Sequence, residues 1–344
     1  MTGTQRIIVK RAGPAANLRL ESVSCPAPGP GEVLIEVEAG GVAFADVMLR
    51  LGVYPGFRPP ITPGFDAVGR IMALGGEVTG FAVGQRVAAM LIVGGYATHV
   101  LADPAWIVPA PEDVASELIA AAILNYVTAY QMLTRSAQVE RGDSILVHGA
   151  AGGVGTALLD LARDLGLRAF GTASRGKHAM VSGFGATAID YKADDFVATT
   201  RAIGGVQAVF DHIGGAHLLR SLRALRPSGA VVSYGAYGVF KDGRISPVGG
   251  AKALLARLGL DPMRLLSDSD SLVGYGIGVQ RDQRNRAFRE DFAAVMGLLD
   301  AGRIAPAIDC VLPLAKAREA QERLQSAGAS GKIVLKMTDG GGVR

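Results

Sequence analysis

The sequence predicts an α/β protein with two domains, a β-rich barrel and a doubly wound parallel sheet. Its length of 344 residues exceeds the usual size of a single hydrophobic core. Short apolar or alternating runs, separated by proline and glycine turns, fill the first part of the chain. From Ser144 onward, strand patterns alternate with helical patterns, which is typical of a parallel sheet covered by helices.

The β-rich part is predicted to be a compact barrel of antiparallel strands. Its segment Pro26–Gly31 is too rich in proline and glycine to be a helix or a central strand. After Glu112, apolar residues recur at helical spacing. The predicted strands are Ile7–Lys10, Leu18–Leu20, Glu32–Glu38, Ala67–Met72 and Arg86–Ile92, and the helical segments are Ser116–Leu124 and Tyr126–Leu133.

The alternating part is predicted to form a sheet of parallel strands at Ile145–Val147, Arg168–Ala173, Thr187–Asp190, Ala208–Asp211 and Ala230–Tyr234. A span from Gly238 to Ser271 interrupts the alternation and is predicted to be an inserted loop and helix. An amphipathic helix over Arg286–Leu299 follows it, and a closing strand over Gly331–Lys336 is expected to return to the first domain. We therefore assign residues 1–124 and 272–344 to the barrel domain and residues 125–271 to the sheet domain.

A glycine-rich turn follows the first strand of the sheet domain. The strand Ile145–Val147 runs into this turn, and the helix after it ends at Gly166, a common C-terminal stop. Strand, turn and helix together are the context of the dinucleotide fingerprint. Gly152 lets the backbone approach a pyrophosphate, and Gly155 lets the helix pack closely. Ala150 stands where the fingerprint usually has its first glycine.

The residues after the next strand predict which dinucleotide binds. An acidic residue there would bind the ribose 2′-hydroxyl of NAD, whereas a basic residue accommodates the 2′-phosphate of NADP. This strand ends in Ser174, Arg175, Gly176 and Lys177, without a carboxylate. A solvated basic turn at the head of a surface helix is the alternative interpretation, but the position relative to the fingerprint favours a phosphate site and therefore NADPH.

Composition and charge exclude several classes of protein. The hydrophobic fraction of 49% and the charged fraction of 19% are those of a folded chain. The net charge is +4, but the basic residues are scattered, so nucleic acid is not expected as a principal partner. No secretory leader and no membrane-spanning run is recognised, and we expect a cytoplasmic protein. The two cysteines, Cys25 and Cys310, are expected to be free thiols.

Motifs along nearly the whole chain resemble the zinc-free, quinone oxidoreductase branch of the medium-chain dehydrogenase/reductase family. Within that branch the sequence is most similar to the vesicle amine transport protein homologues. The motifs lie in the expected order at Gly41–Pro55, Thr62–Gly69, Gly94–Ala97, Asn125–Tyr130, Ala150–Gly155, Gly171–His178 and Ile189–Tyr191.

The resemblance implies a GroES-like barrel domain, a Rossmann domain, a substrate cleft between them and a homodimer. Metal-dependent members carry a cysteine, a Gly-His-Glu motif and a four-cysteine lobe. Here Phe65 replaces the histidine, and two distant cysteines cannot form the lobe, so neither catalytic nor structural zinc is expected. The five histidines show no ligand spacing in the sequence, and we assign none of them a catalytic role.

The resemblance also implies site residues beyond those of the glycine-rich turn and the basic turn. Tyr54 is the candidate catalytic residue, as a hydrogen-bond donor to the reduced substrate, with an aromatic cap beside Pro55 as the alternative. The family often has asparagine at Ala43, so the usual quinone specificity does not follow. The candidate coenzyme contacts are Phe44, Thr128, Ala151, Gly152, Gly153, Val154, Gly155, Ser174, Arg175, Lys177, Tyr191, Gly235, Ala236, Tyr237, Tyr275 and Ile277.

The sequence-based hypothesis is an NADPH-dependent reductase, without a metal, that transfers hydride to a quinone or an α,β-unsaturated carbonyl compound. Two alternatives stay open. One is a non-catalytic NADPH-binding protein that associates with vesicles or lipid through the inserted span, where Ala251–Leu260 offers an amphipathic surface. The other is an enoyl-thioester reductase, because the sequence does not indicate the tail of the acceptor.

Overall fold

The computed structural model describes residues 3–241, 244–246, 259 and 261–337. The chain divides into two compact units. The first unit consists of Met1–Val127 and Gly278–Arg344, and the second of Thr128–Ile277. The domain limits proposed from the sequence, 1–124 with 272–344 and 125–271, stay a prediction.

The strands and helices are named in chain order. The strands are β1 (Gly3–Val9), β2 (Leu18–Ser24), β3 (Val33–Val42), β4 (Asp66–Leu74), β5 (Arg86–Met90), β6 (His99–Ala102), β7 (Ile107–Pro109), β8 (Ser144–His148), β9 (Arg168–Ala173), β10 (Thr187–Asp190), β11 (Val206–Asp211), β12 (Leu225–Ser233), β13 (Phe240–Lys241), β14 (Arg244–Ile245), β15 (Ser271–Gly274), β16 (Ile308–Pro313) and β17 (Lys332–Lys336). The α-helices are α1 (Phe44–Arg50), α2 (Ser116–Gln131), α3 (Gly153–Leu165), α4 (His178–Gly183), α5 (Phe196–Arg201), α6 (His217–Arg223), α7 (Pro262–Asp268), α8 (Ile277–Gln283), α9 (Asn285–Asp300) and α10 (Ala317–Gln325).

The first unit is built on a seven-stranded sheet. Six of its strands follow the order β16-β17-β3-β4-β5-β7, and the seventh, β6, also pairs with β3. Its neighbouring strands are antiparallel except β16 and β17, which run parallel. The closing strand β17 pairs with β3, so the prediction that the end of the chain returns to the first domain is confirmed. A separate antiparallel ladder of β1 and β2 joins this sheet region through backbone hydrogen bonds from Ile7 to Tyr96 and from Val9 to Ile61.

The second unit is built on a six-stranded sheet with the order β10-β9-β8-β11-β12-β15. Every neighbouring pair of its strands is parallel, which confirms the predicted doubly wound sheet. The strand order reverses between β8 and β11. Ligands of such sheets bind beyond the carboxyl ends of the strands at this reversal.

The apolar core of the second unit explains why its strands form. The central strands β8 and β11 are buried over almost their whole length, as continuous apolar runs of parallel sheets are. A core cluster joins Leu146, Val209, Val231, Leu222 and Phe196. The sheet and its helices are thereby held together at the place where the strand order reverses.

Predicted and observed elements differ in several places, and strands β7 and β16 were not predicted at all. The two predicted helical segments after Glu112 form one helix, α2, which continues into a π-helical turn over Met132–Ser136. Strand β15 lies where the sequence predicted the end of the inserted span. Of that span, β13, β14 and α7 are described, whereas the amphipathic stretch Ala251–Leu260 lies outside the described residues except Gly259. No helix among the described residues is long and apolar enough to cross a bilayer.

Candidate functional site

The glycine-rich turn predicted from the sequence joins β8 to α3. Gly149 takes the left-handed position, at φ = +65°, and its carbonyl oxygen accepts a hydrogen bond from the Gly152 N–H at 2.9 Å. A Cβ on Gly155 would lie 2.3 Å from that oxygen, so only glycine allows the helix to approach the turn this closely. A Cβ on Gly152 would lie 3.2 Å from the same oxygen, which is tight but no clash. A Cβ on Gly149 would also clash, at 2.5 Å from Cε1 of His212, so the turn needs glycine at both Gly149 and Gly155.

Ala150 fits the turn because a glycine lies opposite it. A Cβ on Gly171 of β9 would lie 2.6 Å from the Ala150 methyl group and 2.9 Å from Cγ1 of Val181. The Ala150 side chain is fully buried. Glycine at position 171 therefore makes room for alanine at position 150. Sequence reasoning did not identify Gly171 as part of the turn, because the two residues are far apart along the chain.

The N-terminus of α3 is open to an anion. Gly152 is the N-cap, in an extended conformation, and no side chain caps the helix. Gly152 is exposed, Gly153 and Val154 are half-buried, and Ala151 is buried beside them. The first N–H groups of a helix have no acceptor within the helix, and the helix dipole adds positive potential there. An uncapped helix N-terminus of this kind is typical of sites that bind anions.

Basic and polar predicted residues follow the next two strands of the sheet. Ala173 and Asp190 pair at the ends of β9 and β10, so Ser174 and Tyr191 leave the sheet side by side. Arg175 is exposed and Lys177 half-buried in a short 3-10 turn. The structure therefore places these residues at the same edge of the sheet as the glycine-rich turn.

The remaining predicted contacts in the second unit lie after β12 and after β15, except Thr128, which lies in α2. The Tyr237 N–H donates to the His212 carbonyl at 2.9 Å, and a Cβ on Gly235 would lie 2.6 Å from that oxygen. The Tyr275 hydroxyl donates to Oε1 of Gln131 at 2.8 Å. Gly235, Ala236 and Tyr237 are exposed, Thr128 and Ile277 are buried, and Tyr275 is half-buried.

Histidines that lie far apart in the sequence meet at the carboxyl ends of β8 and β11. The Nδ1 atom of His217 is 2.9 Å from Oδ2 of Asp211, and the ring of His217 lies edge-on to the ring of His148 with centroids 4.4 Å apart. The Ser221 hydroxyl donates to Oδ2 of Asp211 at 2.7 Å and lies 3.3 Å from Nε2 of His148. The sequence shows no ligand spacing among the histidines, but the fold brings two of them, His148 and His217, together beside Asp211.

Burial and charge set the protonation of this group. Burial lowers the pKa of His148 to about 3, so its ring is neutral near pH 7. Burial alone would raise the pKa of Asp211, but the hydrogen bond from His217, the two neighbouring imidazoles and the Gly214 N–H hold this pKa well below its ordinary value. Asp211, the buried last residue of β11, is therefore an ionised carboxylate.

Two predicted site residues, Phe44 and Tyr54, belong to the first unit. Tyr54 is half-buried, and its ring meets Phe65 edge-on, with centroids 5.5 Å apart. Burial, together with the charge of Asp46, raises the pKa of Tyr54 above its ordinary value, so the phenol keeps its proton. Among the described residues, the Tyr54 hydroxyl has no hydrogen-bond partner. Phe44 is the half-buried first residue of α1.

Asp46 organises the backbone around Tyr54, and sequence reasoning did not find it. Its carboxylate accepts hydrogen bonds from the N–H groups of Ala43 at 2.8 Å and Gly64 at 2.7 Å and from the Tyr96 hydroxyl at 3.1 Å. Burial raises the pKa of Asp46 to about 7, although the two N–H groups act in the opposite direction. Ala43 has no side chain that could cap α1, and Asp46 reaches back to its N–H instead.

Comparison with known proteins adds independent findings. The model described as "Alcohol dehydrogenase GroES-like domain" matches residues 29–112, and the model described as "Zinc-binding dehydrogenase" matches residues 184–335. The synaptic vesicle membrane protein VAT-1 homolog of Rattus norvegicus is 34% identical over 315 residues, which cover 90% of this chain and 78% of that protein. The quinone oxidoreductase of Homo sapiens is 30% identical over 328 residues, which cover 92% of this chain and 93% of that protein.

A solved structure of the same architecture carries a coenzyme. One such structure is that of the mycobacterial protein Rv1454c complexed with NADPH. It is 32% identical in sequence to this chain, and the two structures superpose with a TM-score of 0.84. The match covers 97% of this chain and 100% of that chain. The sequence matches and the two sheets together confirm the predicted fold class, a GroES-like domain with a Rossmann-type parallel sheet domain.

Proposed function

Because the chain belongs to the medium-chain dehydrogenase/reductase family, we propose that it is an NADPH-dependent reductase that transfers hydride to a quinone or an α,β-unsaturated carbonyl compound. One observation carries this proposal. The uncapped N-terminus of α3 and the basic turn after β9 lie at the same edge of one parallel sheet, and α3 follows β8, beside which the strand order reverses.

The open helix N-terminus would hold the pyrophosphate of the coenzyme. Gly152, Gly153 and Val154 offer backbone N–H groups there, with Ala151 packed behind them. The requirement for glycine at Gly155 supports this role, since it brings the helix end close to the strand end. In the same proposal Gly235, Ala236, Tyr237, Tyr275, Ile277, Thr128 and Phe44 contact the ribose and nicotinamide parts.

The basic turn would select NADPH over NADH. Lys177 and Arg175 carry the charges that a 2′-phosphate needs, and the Ser174 hydroxyl is a neutral donor beside them. Tyr191 leaves the neighbouring strand, and its exposed ring offers a flat surface at this edge. The known structure of a relative with NADPH supports the same choice.

Titration of the purified protein with NADPH and NADH tests this selectivity. We expect tighter binding of NADPH, and Lys177→Ala should weaken NADPH binding roughly 10-fold while NADH binding changes little, since one charge-assisted hydrogen bond contributes about 1.5–3 kcal/mol. The matched control is Lys316→Ala, which removes an exposed lysine of the first unit. Tighter binding of NADH than of NADPH by the unchanged protein would refute the argument from the basic turn.

When bound, the coenzyme supplies the hydride, and the protein supplies position and hydrogen bonds. A quinone or enone accepts hydride at a carbon atom, and negative charge then develops on its oxygen. Tyr54 would donate a hydrogen bond to that oxygen, because its raised pKa keeps the phenol protonated. Edge-on packing on Phe65 fixes the direction of the ring.

The residues at the place of the family's catalytic zinc do not fit a zinc ion. Phe65 offers no ligand atom and is buried against Tyr54. Asp66 is committed to an ion pair with Lys332 at 3.1 Å and to the Gly41 N–H. A cationic lysine beside the carboxylate would repel a divalent ion. We therefore propose hydride transfer without a metal at this position.

The relatives' names favour a second candidate, a non-catalytic NADPH-binding protein on vesicles. Several of the matched relatives are described as synaptic vesicle membrane proteins. Oxidation of NADPH with a panel of quinones, enones and enoyl thioesters tests the first proposal and identifies the class of acceptor. Inactivity across the panel, together with co-sedimentation with vesicles, would favour the second candidate. A homodimer belongs to the first proposal and is tested by analytical ultracentrifugation.

A further inference from the structure

Three side chains of the second unit lie close together at the carboxyl ends of strands β8 and β11. His148 is the last residue of β8, Asp211 is the last residue of β11, and His217 is the first residue of α6. One nitrogen or oxygen atom from each lies within 4.8 Å of the others. We call His148, Asp211 and His217 the His-Asp-His cluster.

We propose that the His-Asp-His cluster binds one divalent cation of the zinc type. Two imidazole nitrogens and one carboxylate oxygen are a ligand set that zinc uses in proteins, with a fourth position for another oxygen. Ser221 lies beside that position, since its hydroxyl oxygen is 2.7 Å from Oδ2 of Asp211 and 3.3 Å from Nε2 of His148. A water molecule can take the same place.

The ligand atoms are near enough for such an ion once the side chains adjust. With metal–ligand bonds of about 2.0–2.1 Å, neighbouring ligands of a tetrahedral zinc ion are about 3.3 Å apart. Nδ1 of His217 and Oδ2 of Asp211 are 2.9 Å apart, so they need to separate by a few tenths of an ångström. The ligand atoms of all three residues lie within 4.8 Å of one another, so any wider pair has to close toward this spacing.

The remaining polar atoms of the ligands are held by neighbours. Nδ1 of His148 is 3.1 Å from the Thr172 hydroxyl, which leaves Nε2 for the ion. Oδ1 of Asp211 accepts the N–H groups of Ile213 at 2.7 Å and Gly214 at 2.9 Å, which leaves Oδ2. Metal-binding histidines and carboxylates are typically oriented by such outer hydrogen bonds.

One ligand of the cluster, His217, is partly exposed to solvent. The side chain of His217 is 20% exposed, whereas that of Asp211 is fully buried. An ion could therefore arrive at His217 and then contact the buried ligands. Because the cluster joins two strand ends to a helix, a bound ion would tie β8, β11 and α6 together and stabilise the second unit.

The competing explanation is a hydrogen-bonded network without any ion. In that network the Ser221 hydroxyl and the His217 ring both donate to Asp211, and His148 is hydrogen-bonded to Ser221. This explanation accounts for the hydrogen bonds equally well. It differs from the cation site in one measurable respect, because it predicts no saturable uptake of metal.

Calorimetric titration of chelator-treated protein with Zn²⁺, in the absence of coenzyme, distinguishes the two. We expect one Zn²⁺ per chain, and His217→Ala should weaken binding at least 10-fold. The matched control is His99→Ala, which removes a half-buried imidazole of the first unit and should leave Zn²⁺ binding unchanged. A Co²⁺-loaded sample should show visible absorption bands of a four-coordinate site, and these bands should be absent from His217→Ala.

The melting temperature gives a second readout that does not depend on the absolute stability of the variant. A ligand that binds only the folded state raises the melting temperature. Zn²⁺ should raise that of the unchanged protein and of His99→Ala, but not that of His217→Ala. Absence of saturable binding, or equal binding by His217→Ala, would overturn the proposal. Because coenzyme and acceptor are left out, neither result depends on the proposed reductase function.

Discussion

The methyl group of Ala150 occupies the space that a side chain on Gly171 would need, since a Cβ at position 171 would lie 2.6 Å from it. Ala150 belongs to the turn after β8, and Gly171 lies within the neighbouring strand β9. The two positions are therefore coupled: a larger residue in the turn is tolerated only while the strand residue opposite has no side chain.

Gly171→Ala is expected to destabilise the second unit by about 1–3 kcal/mol, the usual effect of an extra methyl group in a packed core. Urea unfolding followed by circular dichroism measures this change. Replacing the opposing residue, as Ala150→Gly in the same chain, should recover part of the loss, because the contact with Val181 at 2.9 Å remains. If Ala150→Gly is also measured alone and the losses of the two single variants add up to that of the double variant, the two positions are not coupled.

Gly155→Ala is expected to reduce coenzyme binding together with stability. The new Cβ would lie 2.3 Å from the Gly149 carbonyl oxygen and 2.8 Å from backbone atoms of Ala150, so the turn itself must move. Binding of NADPH should weaken by at least 10-fold in a calorimetric titration.

The control for this change is Gly183→Ala. Gly183 lies in helix α4 of the same unit, and a Cβ on it would meet no atom within 4 Å. That variant should bind NADPH normally and be no less stable, because alanine is a better helix former than glycine. Normal NADPH binding by Gly155→Ala would contradict the assigned role of the turn.

The sequence predicted the parts of the fold that depend on local patterns. Strand β10 lies at Thr187–Asp190 as predicted, and Gly166 ends α3 in the left-handed conformation. Strand β15 was not recognised from the sequence, because its four residues follow a span of mixed glycine and proline content. It lies at the edge of the sheet, where its two end residues are exposed and its two middle residues are half-buried. Short edge strands have little hydrophobic pattern of their own.

The candidate site also contains some residues with a local sequence motif and others without one. The glycine-rich turn and the basic turn have local motifs, and the parallel sheet brings them to one edge. The His-Asp-His cluster has no motif, because residues 148, 211 and 217 meet only through the pairing of β8 with β11 and the position of α6. The same holds for Asp46 and Tyr96, which are joined by a hydrogen bond of 3.1 Å across fifty positions of sequence.

Stability of the first unit is expected to depend on pH through Asp46. Its pKa is raised from the ordinary 3.8 to about 7 in the folded protein, so the folded state holds a proton that the unfolded state releases between these values. The stabilising contribution is complete below pH 3.8 and is lost as the pH rises through 7. The slope from this one group is at most about 1.4 kcal/mol per pH unit.

Asp46→Asn isolates this contribution from those of other acids. The difference in unfolding free energy between the unchanged protein and the variant should shrink as the pH is raised from about 5 to 8. Fluorescence of the single tryptophan, Trp106, reports on unfolding of the same unit. A difference that stays constant over this range would mean that the pKa of Asp46 is not raised in the folded state.

Tyr54→Phe is expected to lower kcat for an active quinone or enone roughly 100-fold, the usual effect of removing one donor to a developing oxyanion. Phenylalanine keeps the edge-on contact with Phe65, so the melting temperature and the NADPH affinity should stay unchanged. The activity of the unchanged protein should not decline through loss of the phenol proton until the pH exceeds 10, because the pKa of Tyr54 is raised above that value. Phe57→Leu is the matched control, since it alters the other aromatic neighbour of Tyr54, at 5.9 Å, and leaves the hydroxyl in place. An unchanged kcat in Tyr54→Phe would show that the hydroxyl does not contribute, and the hydrogen bond to substrate must then come from another residue.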